Sequence, residues 1–376
     1  MLKKYIYRIS RVAVAALALA AAGALWAQDA TAGKPVPPTP DHGSASNGQA
    51  DKPKAAGNIS STDLTPKIFE NWDTPSLEGS ALKALPAVPL GGVDTVDGVY
   101  THEVERLQWR PGDAVDVYVV KPVGVENPPV VLYLYSFPFE TDRFLDHAFC
   151  KFLVRNGVAA VLFPSALTGP RYNSRPMKEW FVSEMRESLA TSAHDVQMIL
   201  NYLASRGDLD MNRVGMFGDG SGASIAILAA SVDSRIKTLD LLDPWGDWPD
   251  WVAKSTRIPE NERPNFLKQD WLDANAPSDP LKWFPKLKTP NVRLQIVKSI
   301  GVTPAAAQAK IEAAAPPQTQ ITHFETEDAF RAAVAQGTGF DWIQAQVRGK
   351  AAAKEYDATK QGPAQPLPVA GKNSEQ

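Results

Sequence analysis

The chain has 376 residues, with 39 basic and 42 acidic side chains and a net charge of −3, and its isoelectric point is near 6.0. That balance offers no basic surface for nucleic acid or for an anionic membrane. A lone cysteine, Cys150, rules out an internal disulfide.

Lys3, Lys4, Arg8 and Arg11 precede an uncharged apolar run from Val12 to Ala27 that ends in small residues. This is the layout of a signal peptide over residues 1–27, and it predicts a periplasmic or secreted protein. The run is shorter than the roughly 20 residues of a spanning helix, which favours cleavage. Leu25 is a poor residue at the third position before a cut after Ala27, so an uncleaved anchor stays open as the alternative. No cysteine near the cut supports lipid attachment. Beyond the signal segment no membrane contact is expected. Residues 28–63 are rich in Pro, Gly and Ala and too poor in large apolar side chains to offset ordering entropy, so they read as a disordered linker. The tail over 350–376 has the same character. One domain is expected between them, over 64–349.

Within that domain, strand-like and helix-like segments alternate, which predicts an α/β fold: a mostly parallel sheet covered on both faces. Strands are read at Val115–Val120, at Val130–Tyr135 (a continuous apolar run, as a strand buried on both faces requires) and at Val158–Phe163. A helix over Asp142–Arg155 stops at Asn156-Gly157. Cys150 lies on it and reads as a small buried hydrophobe. Phe181, Met185, Leu189, Val196, Leu200 and Leu203 form one apolar stripe, predicting a helix over Lys178–Ser205. Then come strands at Val214–Phe217 and Ile236–Leu242, with a helix over Ser221–Ser231 between them. Strands at Val292–Val297 and Thr319–Glu325 follow, with helices over Pro304–Ala315 and Asp328–Val347. Residues 243–287 interrupt the alternation and carry Trp245, Trp248, Trp251, Trp271 and Trp283. They read as a small cap whose indoles either pack it onto the sheet or line an apolar or sugar-stacking pocket. The pocket candidates are Phe137, Ser221, Trp245 and Trp248.

The segment Gly218-Asp219-Gly220-Ser221-Gly222 sits between a strand and a helix. It has the shape of the G-x-S-x-G nucleophile elbow, with Gly220 in the serine's place. Asp195 in the preceding helix, the turn Asn212-Arg213 and the stretch Pro280–Pro290 add to the pattern. Together they resemble the α/β-hydrolase superfamily, its dienelactone-hydrolase and acyl-esterase branch in particular, over roughly residues 103–347. The resemblance implies an α/β-hydrolase fold with a serine, an acid and a histidine above the sheet, and two backbone N–H groups as an oxyanion hole.

All three catalytic places are substituted in this chain. Gly220 replaces the serine, Lys298–Pro304 carries no carboxylate after its strand, and Asp328 stands where the resemblance puts the histidine. Tyr135-Ser136 replaces the His-Gly pair that often follows the earlier strand. Glycine at the elbow removes the strain that a side chain suffers there and leaves the Ser221 N–H as an anion or carbonyl-oxygen site. A relocated set, Ser221 with His323 and Asp243, is the fallback. His194 reads as a helix-surface residue, His42 lies in the linker, and His102 and His147 stand alone. No metal-ligand spacing, phosphate loop or dinucleotide fingerprint is present, so no metal or cofactor is expected. Two functions follow. One is an exported, non-catalytic hydrolase-fold protein binding a small acyl, aromatic or sugar ligand or a protein partner. The other is a divergent ester hydrolase using Ser221.

Overall fold

The computed structural model describes residues 69–136, 142–167, 171, 182, 184–299, 301–335 and 340–352. The signal segment, the linker with His42, the pocket candidate Phe137, the start of the helix read from Lys178 and the tail past Ala352 lie outside the described residues.

The sheet begins with two short pieces, β1 (Val88–Pro89) and β2 (Asp94–Val96), both antiparallel to the long β3 (Tyr100–Arg110). A turn at Pro111-Gly112, with Gly112 at φ +71°, returns the chain as β4 (Asp113–Pro122). The buried positions of β4 alternate over most of its length, as expected where only one face is fully covered. β5 (Pro129–Leu134) is buried at every position, matching its unbroken apolar sequence. Asp146 then caps α1 (His147–Val154) by accepting a hydrogen bond from the Phe149 N–H at 2.8 Å. The helix expected from Asp142 therefore begins after a 3-10 turn at Asp142–Leu145. β6 (Ala159–Leu162) leads towards α2 (Met185–Arg206), which ends at Gly207 in the left-handed region at φ +76°.

β7 (Asp210–Asp219) carries the elbow at its end, and α3 (Ser221–Val232) runs from it. β8 (Ile236–Leu242) is followed by the insertion, a chain of short helices: α4 (Trp248–Lys254), α5 (Arg263–Phe266), α6 (Gln269–Asn275) and α7 (Pro280–Trp283). β9 (Asn291–Val297), α8 (Ala305–Ala313) and β10 (Thr319–Phe324) complete the sheet. The helix expected over Asp328–Val347 is two: α9 (Glu327–Ala335) and α10 (Asp341–Ala352). Gly337 and Gly339 lie between them, and each glycine costs a helix about 1 kcal/mol relative to alanine. α10 lies hard on the sheet: a Cβ on Gly215 of β7 would stand 2.7 Å from Val347 Cγ1.

The strand order is β1-β3-β4-β6-β5-β7-β8-β9-β10, with β2 also on β3. From β6 to β10 every pairing is parallel. The outer edge of β3 is lined by residues 85–96, where Leu85 before β1 and Leu90 between β1 and β2 donate to the Gln108 and Val104 carbonyls. β10 forms the opposite edge. Apolar clusters fill both faces, and Trp245, Trp248 and Trp251 belong to the larger one.

Residues 69–82 strap the outside of α2, and this changes the reading of His194. Its side chain is fully buried, with Nδ1 2.6 Å from Glu70 Oε1 and Nε2 3.0 Å from the Thr74 carbonyl. The helix pattern placed His194 on a surface because the strap that covers it comes from more than 100 residues earlier in the chain. Beside it, buried Asp195 accepts from Arg110 at 2.5 Å, from the Trp109 indole at 2.8 Å and from Arg171. Burial pushes the Asp195 carboxyl up, but Arg110 and Arg171 outweigh it and hold the group down to about 2.

Candidate functional site

The strand tips of β5, β7 and β8 meet at the elbow. Gly220 sits at φ 54°, ψ −114°, a backbone conformation that side chains with a Cβ rarely adopt. Its neighbours are glycines for a different reason, close approach. A Cβ on Gly218 would stand 2.5 Å from Ala223 Cα, and one on Gly222 would stand 2.1 Å from the Leu134 carbonyl oxygen. The obstacles are backbone atoms that cannot swing away, so only glycine lets α3 start this close to β5.

Gly220 itself is crowded by side chains. A Cβ there would lie 2.4 Å from Ser136 Oγ, 2.9 Å from Ser136 Cβ and 3.0 Å from Trp245 Nε1. Ser136, the residue after Tyr135 beyond β5, thus fills the space a nucleophile's side chain would take. The Ser221 N–H, at the place expected for an oxyanion donor, points to Ser136 Oγ at 3.4 Å. The turn is tied down by the Gly220 N–H donating to Leu242 O at 2.8 Å, and by the Ser224 hydroxyl donating to Trp245 O at 2.7 Å.

The fallback residues are not brought together. Ser221 is fully buried. His323 lies on the edge strand β10 with its side chain 40% exposed, and its Nε2 is 2.9 Å from Glu312 Oε2. β10 is three strands from β7 in the sheet order, a lateral distance of about 14 Å, far beyond hydrogen-bond reach. The sequence placed the strand correctly, but only the sheet order gives its distance from the elbow. Asp328 does not face Gly220 either: its side chain is 93% exposed in the first turn of α9, 3.9 Å from Arg331.

Asp243 does stand at the tips, just past β8, in the left-handed region at φ 42°. Its Oδ1 accepts from the Val297 N–H at 2.9 Å and from Gln308 at 3.2 Å, tying β8 to β9 and α8. Its Oδ2 is buried without a hydrogen-bond partner. Burial pushes this carboxyl up to about 7, against the Val297 N–H and with some help from the charge of Asp219.

The two tryptophans proposed as pocket walls are core. Trp245 and Trp248 are 0% and 1% exposed. Trp251 lies 4.9 Å from Trp245 and 5.9 Å from Trp248 between ring centroids. The Trp248 indole donates to Asn275 O at 3.1 Å. These rings pack on one another within the core, which helps an insertion of short helices hold its place. Partly buried Trp283 does similar work with its N–H on Pro277 O at 2.8 Å.

Two residues that the sequence reading left without a role belong to the site. Ser136 was visible as a departure from the His-Gly pattern, but its packing on Gly220 depends on the pairing of β5 with β7. Arg257, in the coil between α4 and α5, had no local signal at all. A groove of about 600 Å³ lies at the opposite end of the sheet, lined by Glu103, Lys121, Arg206 and Asp208 among others. Those four charges pair with one another at 2.7–3.0 Å, which leaves them satisfied without a ligand.

Neither a protein-family model nor a curated protein sequence matches the chain. Solved structures do resemble it. Acetyl xylan esterase 1 from Thermoanaerobacterium sp. JW/SL YS485 aligns with a TM-score of 0.53 at 11% identity, over 64% of this chain and 81% of that one. The acetyl xylan esterase from Paenibacillus sp. R4 gives 0.52 at 14% identity, over 70% and 91%. Pyrococcus horikoshii acylaminoacyl peptidase gives 0.50 at 13% identity, over 66% of this chain and 42% of that protein. At such identities the likeness establishes architecture. The chain has the α/β-hydrolase fold, with a mostly parallel sheet flanked by helices and a Trp-rich insertion after β8.

Proposed function

We propose that this is an exported α/β-hydrolase-fold protein that does not hydrolyse esters and instead binds a small molecule at the strand tips. The observation that carries the reading is the packing at Gly220: the Ser136 hydroxyl and the Trp245 indole stand where a nucleophile's Cβ would be. Hydrolysis through a covalent intermediate needs an exposed nucleophile with a base in reach. Ser221 is buried and His323 is engaged by Glu312 at the far edge. These placements weigh against the divergent-esterase alternative, and fold alone does not argue for activity.

The test is a fluorophosphonate probe on the purified protein, with a panel of acetyl and aryl esters alongside. No labelling is expected, and ester turnover no faster than the residual acceleration of about 10³–10⁴ over water that a triad-less site can give. Labelling at enzyme-like speed, abolished by Ser221→Ala or Ser136→Ala, would overturn the proposal.

A further inference from the structure

We propose that Arg257 is the anchoring cation of a ligand site at the tips of β7 and β8, and that its ligand is a small molecule bearing a single carboxylate. This rests on the reading of the strand tips as a binding site and names the ligand's chemistry.

The most deeply buried arginines of the domain each have a carboxylate, whereas Arg348 of α10 shares with Arg257 a buried Nε and no ion pair among the described residues. Arg110 holds Glu70 and Asp195, and Arg171 holds Asp113 and Asp195. Arg206 holds Glu103 and Asp208, and Arg293 holds Asp240 at 2.6 Å. Arg257 is the contrast. It is partly buried, and its Nε is shut off from solvent with no hydrogen-bond partner. Its guanidinium has no ion pair among the described residues. A guanidinium whose Nε is cut off from water without a partner is unfavourable, and such groups in folded proteins call for an explanation.

Its location supplies one. The Thr256 N–H donates to Gly301 O at 3.2 Å and the Ser255 hydroxyl to Val302 O at 2.6 Å, so this coil is tied to the loop after β9. Thr303 in that same loop reaches Asp243 O at the tip of β8 at 3.3 Å. The charge acting on Arg257 is Asp219, the elbow residue beside Gly220. Arg257 therefore feels the charge of Asp219 from a coil tied to the loop that touches the Asp243 backbone, and buried Asp243 has an unpartnered Oδ2.

A guanidinium presents a planar fork that matches a carboxylate. A phosphate dianion fits less well, because Asp219 already sets negative charge near the cation. Burial favours the neutral form of Asp243 near neutral pH, where it can donate to an incoming carboxylate instead of repelling it.

Isothermal titration calorimetry on the full chain tests this with sodium benzoate, benzamide and phenyl phosphate as probes. Benzoate is expected to bind at least tenfold more tightly than either of the others. Arg257→Gln should weaken benzoate at least tenfold, and Arg257→Lys should weaken it less. Without ligand, Arg257→Gln should melt at the same temperature as the wild type or higher, since it removes an uncompensated cation; a structural arginine would give a lower one. Absent benzoate binding, unchanged affinity in Arg257→Gln, tighter binding of phenyl phosphate, or a destabilised ligand-free Arg257→Gln would each overturn the proposal. Failure here is separable from failure of the non-hydrolytic reading, which is decided by covalent labelling alone.

Discussion

At position 220 the obstacles to a side chain are the Ser136 and Trp245 side chains, and this makes the crowding measurable. Gly220→Ser must adopt φ 54° and displace the Ser136 hydroxyl from 2.4 Å. Strain and overpacking each cost on the order of 1–3 kcal/mol. The double change Gly220→Ser with Ser136→Gly should recover the packing share and leave the backbone share. Urea unfolding of the four proteins gives the coupling directly, and strict additivity would show that the two side chains do not compete. Asp243 offers a pH test. Its folded value of about 7 lies above the unfolded one near 4, so its contribution to stability is complete below about pH 4 and is lost as pH rises through 7. Asp243→Asn should therefore gain on the wild type between pH 5 and pH 8, by on the order of 2–4 kcal/mol. Equal differences in unfolding free energy at the two pH values would refute the buried-acid account.

The element that most depends on ion pairing is the strap of residues 69–82 with α2. Glu70, Arg110, Asp195, Arg171 and Asp113 form one connected set of contacts, and Asp195 sits at its buried centre. Removing one partner strands the others, so Asp195→Asn should cost about 3–5 kcal/mol in chemical denaturation. The pH dependence runs opposite to that of Asp243. With a folded value of about 2 below an unfolded one near 4, the Asp195 contribution is present above pH 4 and fades as pH falls through 2. The wild type should lose about 2 kcal/mol from this group over that window, and the Asn variant should lack that part of the slope. Local patterns foretold the elements far better than these contacts. Val130–Leu134 was legible because a strand buried on both faces reads as an apolar run. The α9–α10 division was missed because amphipathic spacing carried across Gly337 and Gly339. His194 was misjudged, and the Trp pair left between core and pocket, because a pattern shows which face is apolar or polar, not which distant segment covers it.

For the whole molecule, the glycine-bearing elbow and the α/β alternation were enough to foresee the architecture. The chemistry at the tips was only half legible. That Gly220, Lys298–Pro304 and Asp328 depart from the residues the resemblance implies could be read from single positions, since each is a residue type at an expected place. What fills the space instead could not, because Ser136 and Trp245 reach Gly220 from two separate connections. The edges of the sheet carry a last consequence. On the β3 side, Leu85 and Leu90 already spend their N–H groups inward, and Pro86 and Pro89 have none to offer. Among the described residues, only the β10 flank ends on a strand longer than three residues. Head-to-tail stacking needs a donor flank and an acceptor flank on every copy, so the short pieces on the β3 side disfavour growth by strand addition. A border broken up in this way favours meeting a twin over building a fibre.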